Sequence, residues 1–186
     1  NYLVDGKLLF DKFFSECKPF TNGLATAKNG RTSYLFDKNG KYYARGFDYI
    51  KLLNNGMYCC IYDSAIKFLY NDGSPVNDHY YNDFDIIGNY MYVEDWEDED
   101  GEKKCHYNIV DLRTGEEVLK DWASDINTDK EIGYKLYSNE YALLAWLKPD
   151  GTLVMPEDMI NEAFTRLRNG EDMNDVFESL DRKSVV

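Results

Sequence analysis

Between Phe20 and Ile50 the chain alternates apolar and polar residues in runs of about four, separated by turn residues. Leu24-Ala25-Thr26-Ala27 follows an Asn22-Gly23 turn. Ser33 to Phe36 and Lys41 to Ala44 are joined by Asp37-Lys38-Asn39-Gly40, and Phe47-Asp48-Tyr49-Ile50 makes one more short run. Asn-Gly accepts the positive φ of a tight hairpin turn, so the pattern predicts short antiparallel strands. It recurs along the chain. Tyr2-Leu3-Val4-Asp5-Gly6, Phe68-Leu69-Tyr70-Asn71-Asp72-Gly73, Asn108-Ile109-Val110-Asp111 and Trp146-Leu147-Lys148-Pro149-Asp150-Gly151 repeat the hairpin of Tyr34-Leu35-Phe36-Asp37. The aligned Leu3, Leu35, Leu69, Ile109 and Leu147 lie about 32 to 40 residues apart, a period that belongs to arrays of small units. Two further markers keep the same phase. Phe84-Asp85-Ile86-Ile87 echoes Phe47 to Ile50, and a Gly precedes an apolar run at Gly23, Gly56, Gly88 and Gly133.

Other segments depart from this rhythm. Phe13, Phe14, Cys17 and Phe20 fit one helical face or an irregular stretch. Tyr141-Ala142-Leu143-Leu144-Ala145-Trp146 is almost wholly apolar and predicts a strand buried on both faces. Glu94-Asp95-Trp96-Glu97-Asp98-Glu99-Asp100-Gly101-Glu102-Lys103-Lys104 predicts an insertion at a hairpin tip, turning at Asp100-Gly101. After Val154 the apolar spacing changes to about 3.6. Pro156, Glu157 and Asp158 suit a helix start; Met159, Ile160, Ala163, Phe164 and Leu167 form a stripe, and Asn169-Gly170 ends it. Met173, Val176, Phe177 and Leu180 predict a second, shorter helix. The expected fold is mainly β: about four antiparallel β-hairpin repeat units, propeller-like or as an open curled sheet, over residues 1–154. A short α-helical C-terminal cap is expected over 155–186.

Phe20-x-Asn22-Gly23-Leu24-Ala25, Gly30, Tyr34-Leu35-x-Asp37-x-x-Gly40-Lys41 and Phe47-Asp48-x-Ile50 together resemble the WG (KWG) repeat of bacterial β-rich repeat proteins. One copy matches well and the others are degenerate. Thr32-Ser33 stands where the family carries its Trp-Gly. The resemblance implies a binding or scaffold module and brings no catalytic motif. Aromatic cell-wall and choline-binding repeats use a similar Tyr-x-Phe-Asp-x-x-Gly hairpin, but with a shorter period and regular Trp, whereas this chain has three Trp.

Charge and chemistry narrow the function. The net charge of −13 argues against direct nucleic-acid binding and against anionic membranes, and it suits a basic protein partner. No apolar run is long enough to span a membrane. Asn1 in place of an initiator Met reads as a truncated or processed N-terminus. Cys17, Cys59, Cys60 and Cys105 lack framework spacing and are expected as buried free thiols in a reducing, cytoplasmic setting. No Gly-x-Ser-x-Gly elbow or phosphate loop occurs. An EF-hand is excluded because Trp96 and Tyr107 stand at ligand positions. No enzymatic activity, cofactor or metal is expected. The expected function is non-enzymatic protein recognition through Asp95, Trp96, Glu97, Asp98 and Asp100, where an aromatic anchor lies among steering charges. Two alternatives are a carbohydrate- or cell-wall-binding module built on aromatic platforms, and an acidic inhibitor or nucleic-acid mimic that blocks a basic groove.

Overall fold

Turn chemistry sets where each strand stops. In the computed structural model, which describes residues 1–99, 101–129 and 131–176, Asp5 and Gly6 adopt φ of 50° and 78°. They join β1 (Leu3–Val4) to β2 (Lys7–Leu8). Four larger sheets follow. The first is β3 (Glu16–Cys17), β4 (Leu24–Asn29), β5 (Thr32–Asp37) and β6 (Tyr42–Phe47). The second is β7 (Tyr49–Leu52), β8 (Tyr58–Tyr62) and β9 (Ala65–Leu69). The third is β10 (Asp83–Ile87), β11 (Tyr90–Glu99) and β12 (Glu102–Asp111). The fourth is β13 (Asp125–Asp129), β14 (Gly133–Tyr137), β15 (Leu143–Leu147) and β16 (Leu153–Val154). The pairings β3–β4–β5–β6, β7–β8–β9, β11–β12 and β13–β14–β15–β16 are antiparallel, and the spatial order within each sheet is the sequence order. In the two three-stranded sheets a returning segment makes single bridges where the others have a fourth strand. Leu69 pairs with Pro75 and Ile66 with Tyr81; Val110 pairs with Glu117 and Tyr107 with Ala123. The helix α1 (Pro156–Arg168) comes last. The protein is mainly β, with several antiparallel sheets and a short C-terminal helix, and no sheet closes on itself among the described residues.

Among the described residues five turns share one hydrogen-bond pattern. The N–H of the first residue donates to the carbonyl four positions on, and the N–H of the fourth donates back to the first carbonyl. The first residues are Asp37, Leu53, Tyr70, Ser138 and Lys148. The fourth position needs positive φ, as in hairpin turns with a one-residue bulge. Gly40, Gly56, Gly73 and Gly151 hold it at 82° to 87°, and Tyr141 holds it at 61°. A side-chain oxygen of Asn55, Asp72 or Asp150 at the third position accepts the N–H two residues on, at 2.8 to 3.1 Å. The Ser74 hydroxyl, which donates to Asp72 Oδ1 at 2.6 Å, and the Ser74 N–H hold the Asp72 carboxyl below its ordinary pKa, and the Thr152 N–H does the same for Asp150.

The chain divides into two compact units, Asn1–Asp83 and one that begins at Phe84. In the first, Leu24, Leu35, Ala44, Ile50, Tyr58, Cys60 and Leu69 are packed together from the first two large sheets. A second cluster gathers Phe10, Phe14 and Phe20 around the fully buried Phe36, with Phe10 and Phe36 edge to face at 4.7 Å. Tyr2 is tied into it by hydroxyl bonds to the Lys18 and Thr26 carbonyls at 2.6 and 2.8 Å. In the second unit Ile109, Leu136, Ala145 and Leu147 are fully buried. The side chain of Asn108, also fully buried, accepts from the Leu119 N–H and donates to its carbonyl, both at 3.0 Å, fastening the returning segment to β12. Gly133 stands at φ +93°, and a Cβ there would lie 2.2 Å from the Leu147 carbonyl oxygen. The glycine that opens β14 is therefore required both by its backbone conformation and by the approach of β15.

Several expectations are corrected. Of the two readings of residues 13–20 the helical one fails and the irregular one stands: Phe13 is exposed, and Glu16–Cys17 pairs with β4 as a two-residue edge strand. That edge position leaves Cys17 exposed, and Cys105 is half-buried on β12, so only Cys59 and Cys60 are the buried thiols anticipated. Burial pushes their pKa up to about 11 and about 12 respectively. Phe47 ends β6 rather than opening the next strand. Tyr141 is 80% exposed because it lies in a turn, not a buried strand. On α1, Ala163 is buried against the sheet, whereas Ile160 and Phe164 face solvent. Asp158 accepts the Met155 N–H at the helix start, and Gly170 follows its end at φ 85°. The anticipated second helix is seen at residues 173–176, and Phe177 and Leu180 lie outside the described residues. No helix among the described residues is long and apolar enough to cross a membrane.

Candidate functional site

The hairpin β11–β12 pairs ten residues on each strand, against five in β8–β9. Its base belongs to the core: Met91, Val93, Ile109 and Val110 are fully buried. Pairing continues without a break through Glu94↔Tyr107, Asp95↔His106, Trp96↔Cys105, Glu97↔Lys104 and Asp98↔Lys103 to Glu99↔Glu102. Gly101 takes φ +85° at the end, and its N–H donates to Asp98 Oδ1 at 2.9 Å. Beyond the core, opposite charges face each other across the ladder at two successive pairs.

Strand alternation divides the five expected contact residues between two faces. Trp96 and Asp98 share one face, with Cys105 and Lys103 opposite them. Asp95 and Glu97 are on the other, opposite His106 and Lys104. Asp100 lies outside the described residues. The Trp96 side is the more constrained. Its indole N–H donates to Glu94 Oε1 at 2.5 Å, and Lys103 Nζ stands 5.6 Å from the ring centroid. The same Glu94 carboxylate accepts from the Cys105 thiol at 2.9 Å and the Tyr92 hydroxyl at 3.3 Å. Trp96 is nonetheless 50% exposed. The indole is thus oriented by its own hairpin while half of it stays open to solvent.

Glu94 is the residue that sequence reading passed over. Its signal is the i, i+2 spacing to Tyr92 and Trp96, which places the three on one face of a strand. That face continues inward as a stack of rings: Tyr92 lies 4.5 Å from Tyr134 at 8° and 6.2 Å from Tyr107 at 18°. Tyr134 in turn donates to Asp85 Oδ2 at 2.7 Å. Burial, with the charge of Glu94 nearby, raises the Tyr92 pKa, and burial pushes the Cys105 thiol to about 11. Cys105 is therefore a protonated hydrogen-bond donor at neutral pH, not a nucleophile.

A second concavity of about 800 Å³ lies elsewhere in this unit, lined among others by Leu119, Trp122, Leu144, Met155 and Pro156. The Trp122 indole N–H donates to Glu117 Oε2 at 3.0 Å. The chain matches no protein-family model and no curated protein sequence.

Proposed function

We propose that this chain is a non-enzymatic recognition module of the WG-repeat type, and that the β11–β12 tip contacts a basic segment of a protein partner. The carrying observation is the tip itself. Residues 94–104 hold seven acidic and two basic side chains, on a regular hairpin that runs past its core. A half-exposed Trp96 is oriented there by Glu94 and Lys103. A fixed aromatic ring loses little freedom on binding, and the surrounding carboxylates speed the encounter with a cation-rich partner. The preformed turns and short sheets support a rigid scaffold role beneath it.

The test uses fluorescein-labelled Lys- and Arg-rich peptides, read by anisotropy. Binding is expected to weaken as salt rises from about 0.05 to about 0.5 M, because the Debye length shortens severalfold. The triple variant Glu97→Gln, Asp98→Asn, Glu102→Gln and the single variant Trp96→Ala are each expected to weaken it about tenfold or more, or ~1.4 kcal/mol. Equal affinity in all three proteins would remove the hairpin from the function.

A further inference from the structure

The first unit holds a cleft of about 370 Å³ whose chemistry is opposite to that of the molecule as a whole. It lies between β4 and β7, with Leu24 and Tyr58 buried in its floor and the half-exposed Tyr49 and Leu52 on one wall. Lys18 and Lys51 are the charged side chains that line it; no carboxylate does, in a chain with 34 acidic residues. Neither lysine makes an ion pair among the described residues. The hydroxyl of Tyr58 is turned toward the Thr21 carbonyl at 3.4 Å, which leaves its ring as apolar lining. A smaller recess adjoins, sharing Lys18, Thr26 and Tyr49 with the cleft, and there Lys28 and Glu16 join the lining.

An apolar floor with two cations and no anion selects for a ligand that has a hydrophobic body and a negative group. The volume is at the small end of ligand pockets, which run from about 300 to about 1,000 Å³. We propose that this cleft binds a small aromatic anion, an aryl phosphate or aryl carboxylate, with its ring against Leu24, Tyr49 and Tyr58 and its charge held by Lys18 and Lys51. The surrounding negative charge of the protein adds selectivity: an anion gains at this cleft and is repelled from most other surfaces. The same chemical group occurs free and as the phosphotyrosyl side chain of a peptide.

The experiment is a titration of ¹⁵N-labelled full chain with phenyl phosphate, followed at the amides of Thr26, Lys51 and Tyr58. Benzyl alcohol, inorganic phosphate and a short phosphotyrosyl peptide serve as comparison ligands. Saturable shifts with phenyl phosphate and an apparent Kd below about 1 mM are expected, with benzyl alcohol and inorganic phosphate each at least about tenfold weaker. The double variant Lys18→Gln, Lys51→Gln is expected to lose at least about tenfold in affinity while its spectrum stays folded, since both side chains are exposed. Tyr49→Ala provides a second variant with the same direction of effect. A peptide that binds more tightly than phenyl phosphate identifies a protein-borne group, and a weaker one identifies a free metabolite. Equal binding of phenyl phosphate and benzyl alcohol, or full affinity in the double variant, would overturn the proposal.

Discussion

The base and the tip of the β11–β12 hairpin share one ladder but not one source of stability. At the base, Met91, Val93, Ile109 and Val110 are out of water, and Asn108 spends its amide on Leu119. At the tip, Trp96, Glu97 and Asp98 are exposed, and order comes from cross-strand charge pairs and the Glu94 hydrogen bonds. Burial and satisfied buried polar groups contribute kilocalories each, whereas exposed pairs contribute tenths. The base is therefore expected to resist change for the sake of folding, and the tip is free to vary for the sake of contact.

Glycine substitutions sharpen that contrast most. Gly133→Ala drives a Cβ onto the Leu147 carbonyl, and a loss of about 3 kcal/mol or more is expected in urea unfolding. Gly101→Ala at the hairpin tip meets nothing within 4 Å, so only the backbone penalty of about 1–2 kcal/mol applies. Between these lies Asn108→Ala, which strands the buried Leu119 N–H and carbonyl and is expected to cost about 2–3 kcal/mol. Replacing residues 95–106 by Asn-Gly removes the tip. It is expected to lower stability by about 1–2 kcal/mol, since Asp95, Cys105 and His106 are half-buried and the rest of the lost side chains described are exposed, while abolishing binding of basic peptides. If that deletion unfolds the protein, the separation of base from tip fails. The smallest effect is a gain: Tyr141→Gly relieves a positive φ at an exposed turn and is expected to raise stability by about 0.5–1 kcal/mol.

Alkaline pH probes the buried core of the first unit. Cys59, Cys60 and Tyr58 carry pKa values raised by burial. Their protonated forms are favoured by folding, so the stability they add is complete below the unfolded-state values of about 8.5 for thiols and about 10 for tyrosine. Above those values the unfolded chain binds fewer protons, and stability is expected to fall through pH 11 to 12, where the buried thiols titrate. Cys60→Ala is expected to flatten that decline in urea titrations at pH 8 and pH 10.5. At neutral pH a thiol reagent is expected to modify the exposed Cys17 at once, and Cys59 and Cys60 only on unfolding.

Turn chemistry made most of the strands legible in advance. Asn22-Gly23, Asn39-Gly40, Asn55-Gly56 and Asp150-Gly151 each mark a turn, because positive φ is a local requirement that few residues meet. Helix α1 was equally plain, with Pro156 at one end and Gly170 at the other. The misses arose where local pattern and tertiary context disagree. Tyr141 looks like core but occupies the turn position that glycine fills in four sister turns. The two-residue strand β3 is too short to show a period and exists only through its pairing with β4. At the candidate site, Trp96 and its acidic neighbours were visible in the sequence, but their division between two faces follows from register. Of the three donors gathered by Glu94, Tyr92 and Trp96 lie two residues away on its own strand, and Cys105 follows from the register with β12. The Lys18–Lys51 cleft had no linear signal, since Lys18 follows β3 and Lys51 lies on β7, 33 residues on.

Because each sheet lists its strands in the order of the chain, no sheet waits for a distant segment. β4 and β5 meet across Gly30, β8 and β9 across Asp63 and Ser64, and the clusters around Leu35 and Leu136 each draw on one unit. Closing such short loops costs little chain entropy, and folding speed follows from it. During synthesis the first unit has all its strands available before the second is made, so the chain can acquire its structure in the direction it is translated. Each strand finds its neighbour within a few residues of being made, which shortens the time for which unpaired strands are open to aggregation.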